Sequence, residues 1–444
     1  MVDFKHSVII FWLISAPALA AIYGGNPSNS GGNTPVVQST TLSGSSPAVL
    51  NALVGNVGAT NSPTSCTITA GDSSGNFSCT VSGGNLQIKT TATGVSNLAA
   101  NDTSAVVTQN LTVQATNSSG SGSASVIVNV YADGSTNAPT VAAGAQLPTI
   151  LNSYAVRPPW KIAGVDYPVG IPDGVSFKDP TTATLPSGCG YNGAEKLVGC
   201  SSQATITGYD FCNTASGEVG LYYTGATGTT LTVTNSNFCG GGNKIQPIQS
   251  ASNAGNIVVT YSKYTGSGTD GNPFVYSIGC NTTLKYVWML NAGADDVDTA
   301  DSCASGVHLR EFNLYENDGQ AVGTHPDWEQ EGTSGSPTYT IIYNTSYMTT
   351  VGTASQGYLM TSAATTWTME IGRNTMVAPG AGTMSYMLGH MNGTFSSSTI
   401  HDNYADIFGT LGSFWYGGSI SAAGFSVSGM TVGTNTNMRN GSSL

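Results

Sequence analysis

Apolar and polar residues alternate in short segments that recur through the second half of the chain. From Ala204 onward, strand-like segments such as LTVTNSNF (231–238), IVVTYSKY (257–264) and YTIIYNTSYM (339–348) return most often every 26 to 28 residues. A shorter apolar segment, for example VGLYYTG, PFVYSIG or QGYLMTS, precedes most of them. Two or three short strands per unit, joined by turns, are typical of a solenoid. The pattern therefore predicts an all-β repeat domain over residues 204–444.

The first part of the chain alternates without such a repeat. Segments such as NFSCTVSGGNLQIKTTA and SASVIVNVYADG carry period-2 alternation with turn residues between them, within residues 36–137. This pattern predicts a small β-sandwich. Residues 138–203 are rich in Pro and Gly and are expected to form a linker and an N-terminal cap, since the end of a repeat array otherwise leaves a hydrophobic face bare.

The repeats resemble a known architecture. An all-β repeat of this length, with Asn and polar residues near the strand corners, resembles the right-handed parallel β-helix of the pectate-lyase-like superfamily over residues 150–444. A propeller is the main rival, but its blades need about 40 residues or more. The resemblance implies stacked parallel sheets and an activity on polysaccharides, as a lyase, hydrolase or epimerase. Residues 36–137 resemble the cadherin-like or immunoglobulin-like repeats of bacterial surface proteins.

The N-terminus predicts export. Lys5 and His6 precede an apolar run from Ser7 to Leu19, and Ala18-Leu19-Ala20 provides an A-x-A cleavage site. We therefore expect a signal peptide over residues 1–20, a linker over 21–35, and a secreted or cell-surface location. The apolar run is too short for a membrane span, so none is expected.

The eight cysteines fit an oxidising compartment and fall as near neighbours in the sequence. Proximity predicts the pairs Cys66–Cys79, Cys189–Cys200, Cys212–Cys239 and Cys280–Cys303, although other connectivities are open. No Cys/His spacing typical of zinc is present.

Charge is scarce and concentrated. The chain carries 12 Lys and Arg against 24 Asp and Glu, for a formal charge of −12, which disfavours nucleic acid or an anionic membrane as a partner. Ten of the 24 acidic residues lie between residues 295 and 331, together with His308, His325 and Arg310. Because functional sites collect interacting titratable groups, this stretch is the candidate site. A solvated acidic rim or a structural Ca²⁺ site is the alternative interpretation.

In a parallel solenoid, residues one repeat apart become neighbours about 4.8 Å apart. This places the acidic loop 295–301 beside the segment PDWEQ, within a column that also carries aromatic residues. Since carboxylates are unfavourable in a core, Asp327 and Glu329 are expected to face outward and Trp328 with Gln330 to face the other way. Carboxylates flanked by aromatic rings suit a sugar chain. The residues expected to bind substrate are Gln330, Glu329, Trp328, Tyr276, Tyr358, Tyr386 and His390.

The segment HPDWEQ resembles the H-x-D-x-x-Q pattern of many bacterial β-helix proteins of the same superfamily, with His325, Asp327 and Gln330 at its positions. Two mechanisms fit. In a lyase, Ca²⁺ held by Asp295, Asp296 or Asp298 would acidify the α-proton of a uronate, with His325 or Arg310 as the base. In a hydrolase, Asp327 and Asp296 would act as the acid and the base or nucleophile. The scarcity of Arg and Lys favours a hydrolase acting on neutral sugars.

A different class of function is the alternative: a non-catalytic adhesin or matrix protein that only binds glycan. In either case a monomer is expected. A third possibility, a depolymerase like a phage tail spike, is disfavoured by the signal peptide. A weaker candidate group is His401, which has Asp402 and Asp406 as sequence neighbours.

Overall fold

The chain is almost entirely β-structure. The computed structural model describes residues 33–45, 53–99, 106–132, 134, 138, 146–240, 246–252, 254–268, 273–277, 281–299, 305–317, 327–332, 335–348, 356–360, 366–379, 386–390, 394–406 and 414–444. Within these ranges the helical segments are one short α-helix and a 3₁₀ turn at Tyr416–Gly418. The predicted all-β class is confirmed, whereas the predicted signal peptide lies outside the described residues.

Seven strands and one helix form the N-terminal part. They are β1 (Thr40–Ser45), β2 (Leu53–Val57), β3 (Ser65–Ala70), β4 (Phe77–Ser82), β5 (Asn85–Thr90), α1 (Ala92–Ala99), β6 (Val107–Asn117) and β7 (Gly120–Tyr131). They make two sheets, of order β1-β7-β6-β3 and β2-β5-β4. Alternate residues of both sheets, such as Val113 and Val128 from one and Ile88 from the other, share one core. The apolar–polar alternation of residues 36–137 therefore arises from two small sheets that pack face to face.

The described strands from Cys189 onward form a solenoid. Its strands are β8 (Cys189–Asn192), β9 (Leu197–Cys200), β10 (Ala204–Thr207), β11 (Gly220–Tyr223), β12 (Thr230–Thr234), β13 (Asn237–Cys239), β14 (Ile248–Ser250), β15 (Asn256–Thr260), β16 (Lys263–Thr265), β17 (Val275–Ser277), β18 (Asn281–Lys285), β19 (Trp288–Leu290), β20 (Val297–Thr299), β21 (Val307–Glu311), β22 (Leu314–Asn317), β23 (Asp327–Glu331), β24 (Thr338–Ile342), β25 (Thr345–Met348), β26 (Gln356–Met360), β27 (Thr366–Gly372), β28 (Thr375–Val377), β29 (Tyr386–His390), β30 (Thr394–Phe395), β31 (Ser398–His401), β32 (Tyr404–Ala405), β33 (Met430–Val432) and β34 (Thr436–Asn437).

Three sheets run along the solenoid. Sheet A has the order β8-β9-β11-β14-β17-β20-β23-β26-β29, sheet B the order β10-β12-β15-β18-β21-β24-β27-β31-β33, and sheet C the order β13-β16-β19-β22-β25-β28-β32-β34. Strands of successive coils pair in parallel, so that Val259, Leu284, Arg310 and Ile341 follow one another in register. The parallel solenoid predicted from the repeat is confirmed.

In seven successive coils two residues turn the chain from sheet B to sheet C, and we call the first of them the corner residue. The corner residues all have a positive φ, between 47° and 58°, and they are Asn235, Tyr261, Tyr286, Phe312, Tyr343, Arg373 and Asp402. Such a sharp turn leaves buried backbone groups that need partners. In the last coils an asparagine follows the corner, and its Nδ2 donates to the Oδ1 of the next asparagine at 2.9–3.2 Å. This ladder runs through Asn313, Asn344, Asn374, Asn403 and Asn435.

A strap over residues 146–170 runs along these corners. Trp160, Ile162 and Tyr167 of the strap form one apolar cluster with Phe312 and Tyr343 of the solenoid. This part of residues 138–203 therefore packs along the side of the repeats, and the cap predicted within the same range stays a prediction. From Lys178, whose N–H donates to the carbonyl of Gly208 at 2.8 Å, the chain lies against the first coil.

Three of the predicted disulfides are confirmed: Cys66–Cys79, Cys189–Cys200 and Cys212–Cys239. Cys280 and Cys303 lie outside the described residues. Within the described part of the chain, no helix has the length and apolar content needed to cross a membrane.

Candidate functional site

A column of half-exposed side chains runs down the outer face of sheet A. In β14, β17 and β20 the middle residue is half-buried between two buried neighbours, which shows that it points outward. The backbone register then places Gln249, Tyr276, Asp298 and Gln330 one above the other. Tyr276, Asp298 and Gln330 were each predicted as site residues, and the register brings them together as neighbours.

A second column lies beside the first, and only Gln356 in it is half-exposed, since Asp327 has no exposed surface and Tyr386 is 2% exposed. Asp327 is in register with Gln356, and Gln356 with Tyr386. The Tyr386 hydroxyl donates to Gln356 Oε1, and its ring meets Tyr416 edge-on at 4.9 Å. Asp295 joins the top of this column, because the Asp327 N–H donates to its Oδ1 at 3.1 Å. We call Asp295, Asp298 and Asp327 the acidic cluster.

Burial sets the protonation of the acidic cluster. Removal from water raises the pKa of Asp298 to about 6. Removal from water, with the Asp298 charge nearby, raises the pKa of Asp295 to about 7. The pKa of Asp327 is raised well above its usual value, first by burial and then by the charges of Asp295 and Asp298. Three carboxyl groups that cannot all ionise together thus share protons near neutral pH.

Glu329 does not face outward, and this expectation from strict alternation is wrong. Its side chain has no exposed surface and pairs with Arg310 Nε at 3.0 Å. The Tyr315 hydroxyl also donates to it. A buried carboxylate is tolerated when a cation and hydrogen bonds satisfy it, as here.

Trp328 points inward as well, so strand β23 breaks its alternation. The Trp328 ring lies in the solenoid core, 5.5 Å from Tyr358. Trp328 and Glu329 are therefore consecutive inward residues, and Asp327 before them is also fully buried. Gln330, which was expected to face the same way as Trp328, is the half-exposed residue of this strand. Tyr358, also predicted to bind substrate, has no exposed surface and shares a hydrogen bond of 3.0 Å with Ser346.

Arg310 is sealed inside the solenoid and has no exposed surface. Its NH1 donates to the carbonyl of Thr282 at 2.8 Å, and its NH2 lies 3.7 Å from Glu331. The pKa of Glu331 is raised well above its usual value by burial and by Glu329. Arg310 therefore balances internal carboxyl groups, and its position is incompatible with the role of a base acting on the outer face.

Asp296 also points inward, where its Oδ2 accepts a hydrogen bond of 2.9 Å from Asn317 Nδ2. It is fully buried and does not share the outer face with Asp295 and Asp298. The described residues contain no group of three or more His, Cys, Asp or Glu arranged to hold a metal ion. The Ca²⁺ site predicted at Asp295, Asp296 and Asp298 stays a prediction.

The side chains of two predicted site residues, His325 and His390, lie outside the described part of the structure. His325 lies outside the described residues, and only the backbone of His390 is described, at the end of β29. Sequence reasoning in turn missed Gln356. The signal was present, because Gln356 lies one repeat, 29 residues, after Asp327.

Comparison of the chain with protein-family models and with curated proteins finds no match.

Proposed function

We propose that this protein is a secreted, carbohydrate-active β-solenoid that hydrolyses a neutral polysaccharide on the outer face of sheet A. The acidic cluster is the observation that carries the proposal. Glycosidic bond hydrolysis needs one protonated and one ionised carboxyl group at the same pH. Neighbouring carboxyl groups whose surroundings separate their pKa values meet this need.

The roles follow from the surroundings of each carboxyl group. Asp327 is the most deeply buried of the three, and burial raises its pKa well above the usual value, so it is assigned the role of general acid. Asp298 is half-exposed on the adjacent column and is ionised above a pKa of about 6. It therefore acts as the base or nucleophile. Asp295 positions Asp327 by accepting a hydrogen bond from its backbone N–H.

The neighbouring side chains support a neutral sugar as substrate. Tyr276 and Tyr416 provide ring faces and edges for the apolar faces of sugars, and Gln330 and Gln356 provide amides for hydroxyl groups. Tyr386, which was also expected to bind substrate, is only 2% exposed. The two columns, in their described part, carry no Lys or Arg opposite the acidic cluster. A uronate would meet three carboxyl groups there without a compensating cation.

The resemblance noted in the sequence belongs to the same proposal. A right-handed helix of the pectate-lyase-like type, with the H-x-D-x-x-Q element at Asp327 and Gln330, would carry its substrate on this face. The N-terminal sheets would serve for attachment, as cadherin-like or immunoglobulin-like repeats do. We propose a monomer.

The test is a screen of the mature protein on neutral and uronate polysaccharides, with and without EDTA. It follows reducing-end release together with the ultraviolet absorbance of unsaturated uronates. The proposal expects reducing ends from a neutral glycan without absorbance growth and without an effect of EDTA. Absorbance growth abolished by EDTA would instead establish the Ca²⁺-dependent lyase and refute the hydrolase.

Substitution of the acidic cluster assigns the roles. Asp327→Asn and Asp298→Asn should each lower kcat at least about 100-fold, since each removes one proton-transfer group. Glu195→Gln is the matched control, because Glu195 is an exposed carboxylate on the loop after β8. Its kcat should equal that of the unmodified protein.

A glycan-binding adhesin is the second candidate, favoured by the complete burial of Asp327. A continuous stretch of the outer column could bind a glycan without any contribution from Asp327. It consists of the half-exposed Tyr222, Gln249 and Tyr276. This function predicts binding that survives Asp327→Asn, with no reducing ends released by any variant.

A further inference from the structure

A second group of charged residues lies at the corner where the N-terminal sheets meet the solenoid. His401, at the end of β31, has its Nδ1 2.9 Å from Asp402 Oδ2 and its Nε2 3.2 Å from Glu370 Oε1. Arg373 NH1 lies 3.0 Å from the same Glu370 oxygen. We call Glu370, Arg373, His401 and Asp402 the corner cluster.

Glycines make room for the imidazole ring. A Cβ atom at Gly372, the register neighbour of His401 in the preceding coil, would lie 2.9 Å from His401 Cε1 and 3.0 Å from Nε2. A Cβ atom at Gly433, on the other side, would lie 3.0 Å from the Cβ of His401. The ring therefore lies close against the sheet, with a carboxylate at each nitrogen.

The corner cluster adjoins the contact between the two parts of the chain. The Arg373 guanidinium lies over the Tyr343 ring at 5.5 Å. The Tyr343 hydroxyl accepts a hydrogen bond of 3.2 Å from the N–H of Ala132, directly after the last strand of the N-terminal sheets. Trp160 of the strap contacts Tyr131 at 5.5 Å and Tyr343 at 5.9 Å.

The charges of the corner cluster also act on Tyr131 itself. Burial and the Asp402 carboxylate raise the pKa of the Tyr131 phenol, and the Arg373 guanidinium opposes them. A change in the charges of the corner cluster therefore changes the electrostatic potential at Tyr131, the last residue of β7.

We propose that the corner cluster is a proton-controlled clasp, which holds the N-terminal sheets on the solenoid while His401 is protonated and loosens them when His401 loses its proton. With His401 protonated, two cations balance two carboxylates. A neutral imidazole donates from one nitrogen only, so one of the two carboxylates then faces a lone pair and the corner carries an excess negative charge.

No other described group near His401 replaces the lost charge. The remaining titratable groups at this corner are the phenols of Tyr131, Tyr343 and Tyr404, which are neutral acids with raised pKa values. Earlier along the same outer face of sheet B, Lys285 is occupied by Glu311, 2.7 Å away.

The direction of the pH effect follows from linkage. Hydrogen bonds to Asp402 and then Glu370 raise the pKa of His401 from 6.5 to about 8. A raised pKa means that the stabilisation is fully present below the unfolded value and is lost as the pH rises through about 8. The clasp therefore closes below pH 6.5 and opens above pH 8.

The amide of Ala132 reports on the clasp directly. Its hydrogen exchange, measured by NMR on the full chain and corrected for the intrinsic pH dependence, should accelerate between pH 6.5 and pH 9.5. If the full difference between the unfolded and folded pKa of His401, 6.5 and about 8, acts on the clasp, exchange of Ala132 accelerates about 30-fold, and this is the upper limit of the effect. The amides of Val113 and Leu284, buried in their own sheets, should keep their protection. Unchanged protection of Ala132 across this range would overturn the proposal, without need of a variant.

Two substitutions separate the clasp from a general loss of stability. His401→Gln, neutral at every pH, should give the fast exchange of Ala132 already at pH 6.5 and remove its pH dependence. Asp402→Asn replaces the carboxylate by a neutral amide and should move the midpoint down from about pH 8 toward 6.5. Glu195→Gln, an exposed carboxylate remote in sequence from the corner cluster, should leave the profile unchanged. Wild-type behaviour of His401→Gln at pH 6.5 would refute the clasp.

Discussion

At the scale of single residues, the partners of a carboxyl group decide which way it points. Asp327 and Glu329 are two positions apart in one strand, and strict alternation would place them on the same face. Arg310 and Tyr315 hold Glu329 inside, while Asp327, which also has no exposed surface, interacts with Asp295 through its backbone N–H. Sequence reasoning treated both as outward because it could not see an arginine from β21 inside the core. The residue types of the site were predictable from the sequence, but the side of the sheet on which each side chain lies was not.

Ionisation of Asp298 in the acidic cluster should destabilise the fold above about pH 6. Because the folded pKa of Asp298 is about 6 against an ordinary value of 3.8, ionisation of Asp298 opposes folding above this window. Asp298→Asn should therefore raise the free energy of unfolding at pH 8 by on the order of 1 kcal/mol, after allowance for solvent screening. The gain should vanish at about pH 2.5, which is well below both pKa values, so that the carboxyl group is protonated in both states. Urea unfolding at the two pH values measures it, and an equal gain at both would contradict the assignment.

The internal ion pair should behave as a unit. Arg310→Met leaves Glu329 buried without its cation and should cost about 3–5 kcal/mol of unfolding free energy. The double variant Arg310→Met/Glu329→Gln removes both charges and should recover most of this loss. A double-mutant cycle by denaturant unfolding tests it, and additive losses would show that the two residues do not depend on each other.

At the scale of elements, the repeat period predicted the parallel sheets, and the corners explain how each coil closes. Turn residues were visible in the sequence, and Asn near the strand corners was part of the resemblance. The ladder of amides from Asn313 to Asn435 fixes the register of the last coils through side-chain and backbone hydrogen bonds. The paired inward positions 328 and 329 were not predictable from period alone, since a period gives spacing and a local bend depends on contacts between coils.

Interruption of the asparagine ladder should be costly. Asn344 accepts hydrogen bonds from the backbone N–H of Asn313 and donates to the carbonyl of Arg310, both at 3.0 Å. Asn344→Ala leaves these two buried groups unpaired and should cost about 2–4 kcal/mol. Asn256→Ala, at a half-buried outer position of sheet B, is the control and should cost less than about 1 kcal/mol. Equal losses of stability for Asn344→Ala and Asn256→Ala in thermal unfolding would show that the buried ladder stabilises the fold no more than an outer asparagine does.

At the scale of the whole molecule, the strap joins the N-terminal sheets to the solenoid. The composition of residues 138–203 predicted an irregular segment, and its Trp160 was visible. Its course along the corners could not be predicted, because it depends on the stack of Tyr286, Phe312 and Tyr343, with rings 5.2–5.4 Å apart. These rings come from different coils and form one apolar surface only after the solenoid has closed.

Removal of Trp160 should weaken this connection. The ring is 3% exposed, and its loss in Trp160→Ala should cost about 3–5 kcal/mol. Because the contact lies between two parts of the chain, calorimetry should show the unfolding transition broaden or split. Trp160→Phe keeps part of the packing and should stay closer to a single transition. An unchanged melting profile for Trp160→Ala would contradict the role given to the strap.

The pH dependence of kcat/KM for glycan hydrolysis tests the central claim most directly. If the acidic cluster is catalytic, kcat/KM should rise with pH through an apparent pKa near 6 as Asp298 ionises, and fall again at higher pH as Asp327 loses its proton. Asp298→Asn should remove the acidic limb along with most of the rate. A flat profile, or an acidic limb that persists in Asp298→Asn, would mean that the outer carboxyl groups of sheet A do not perform the reaction.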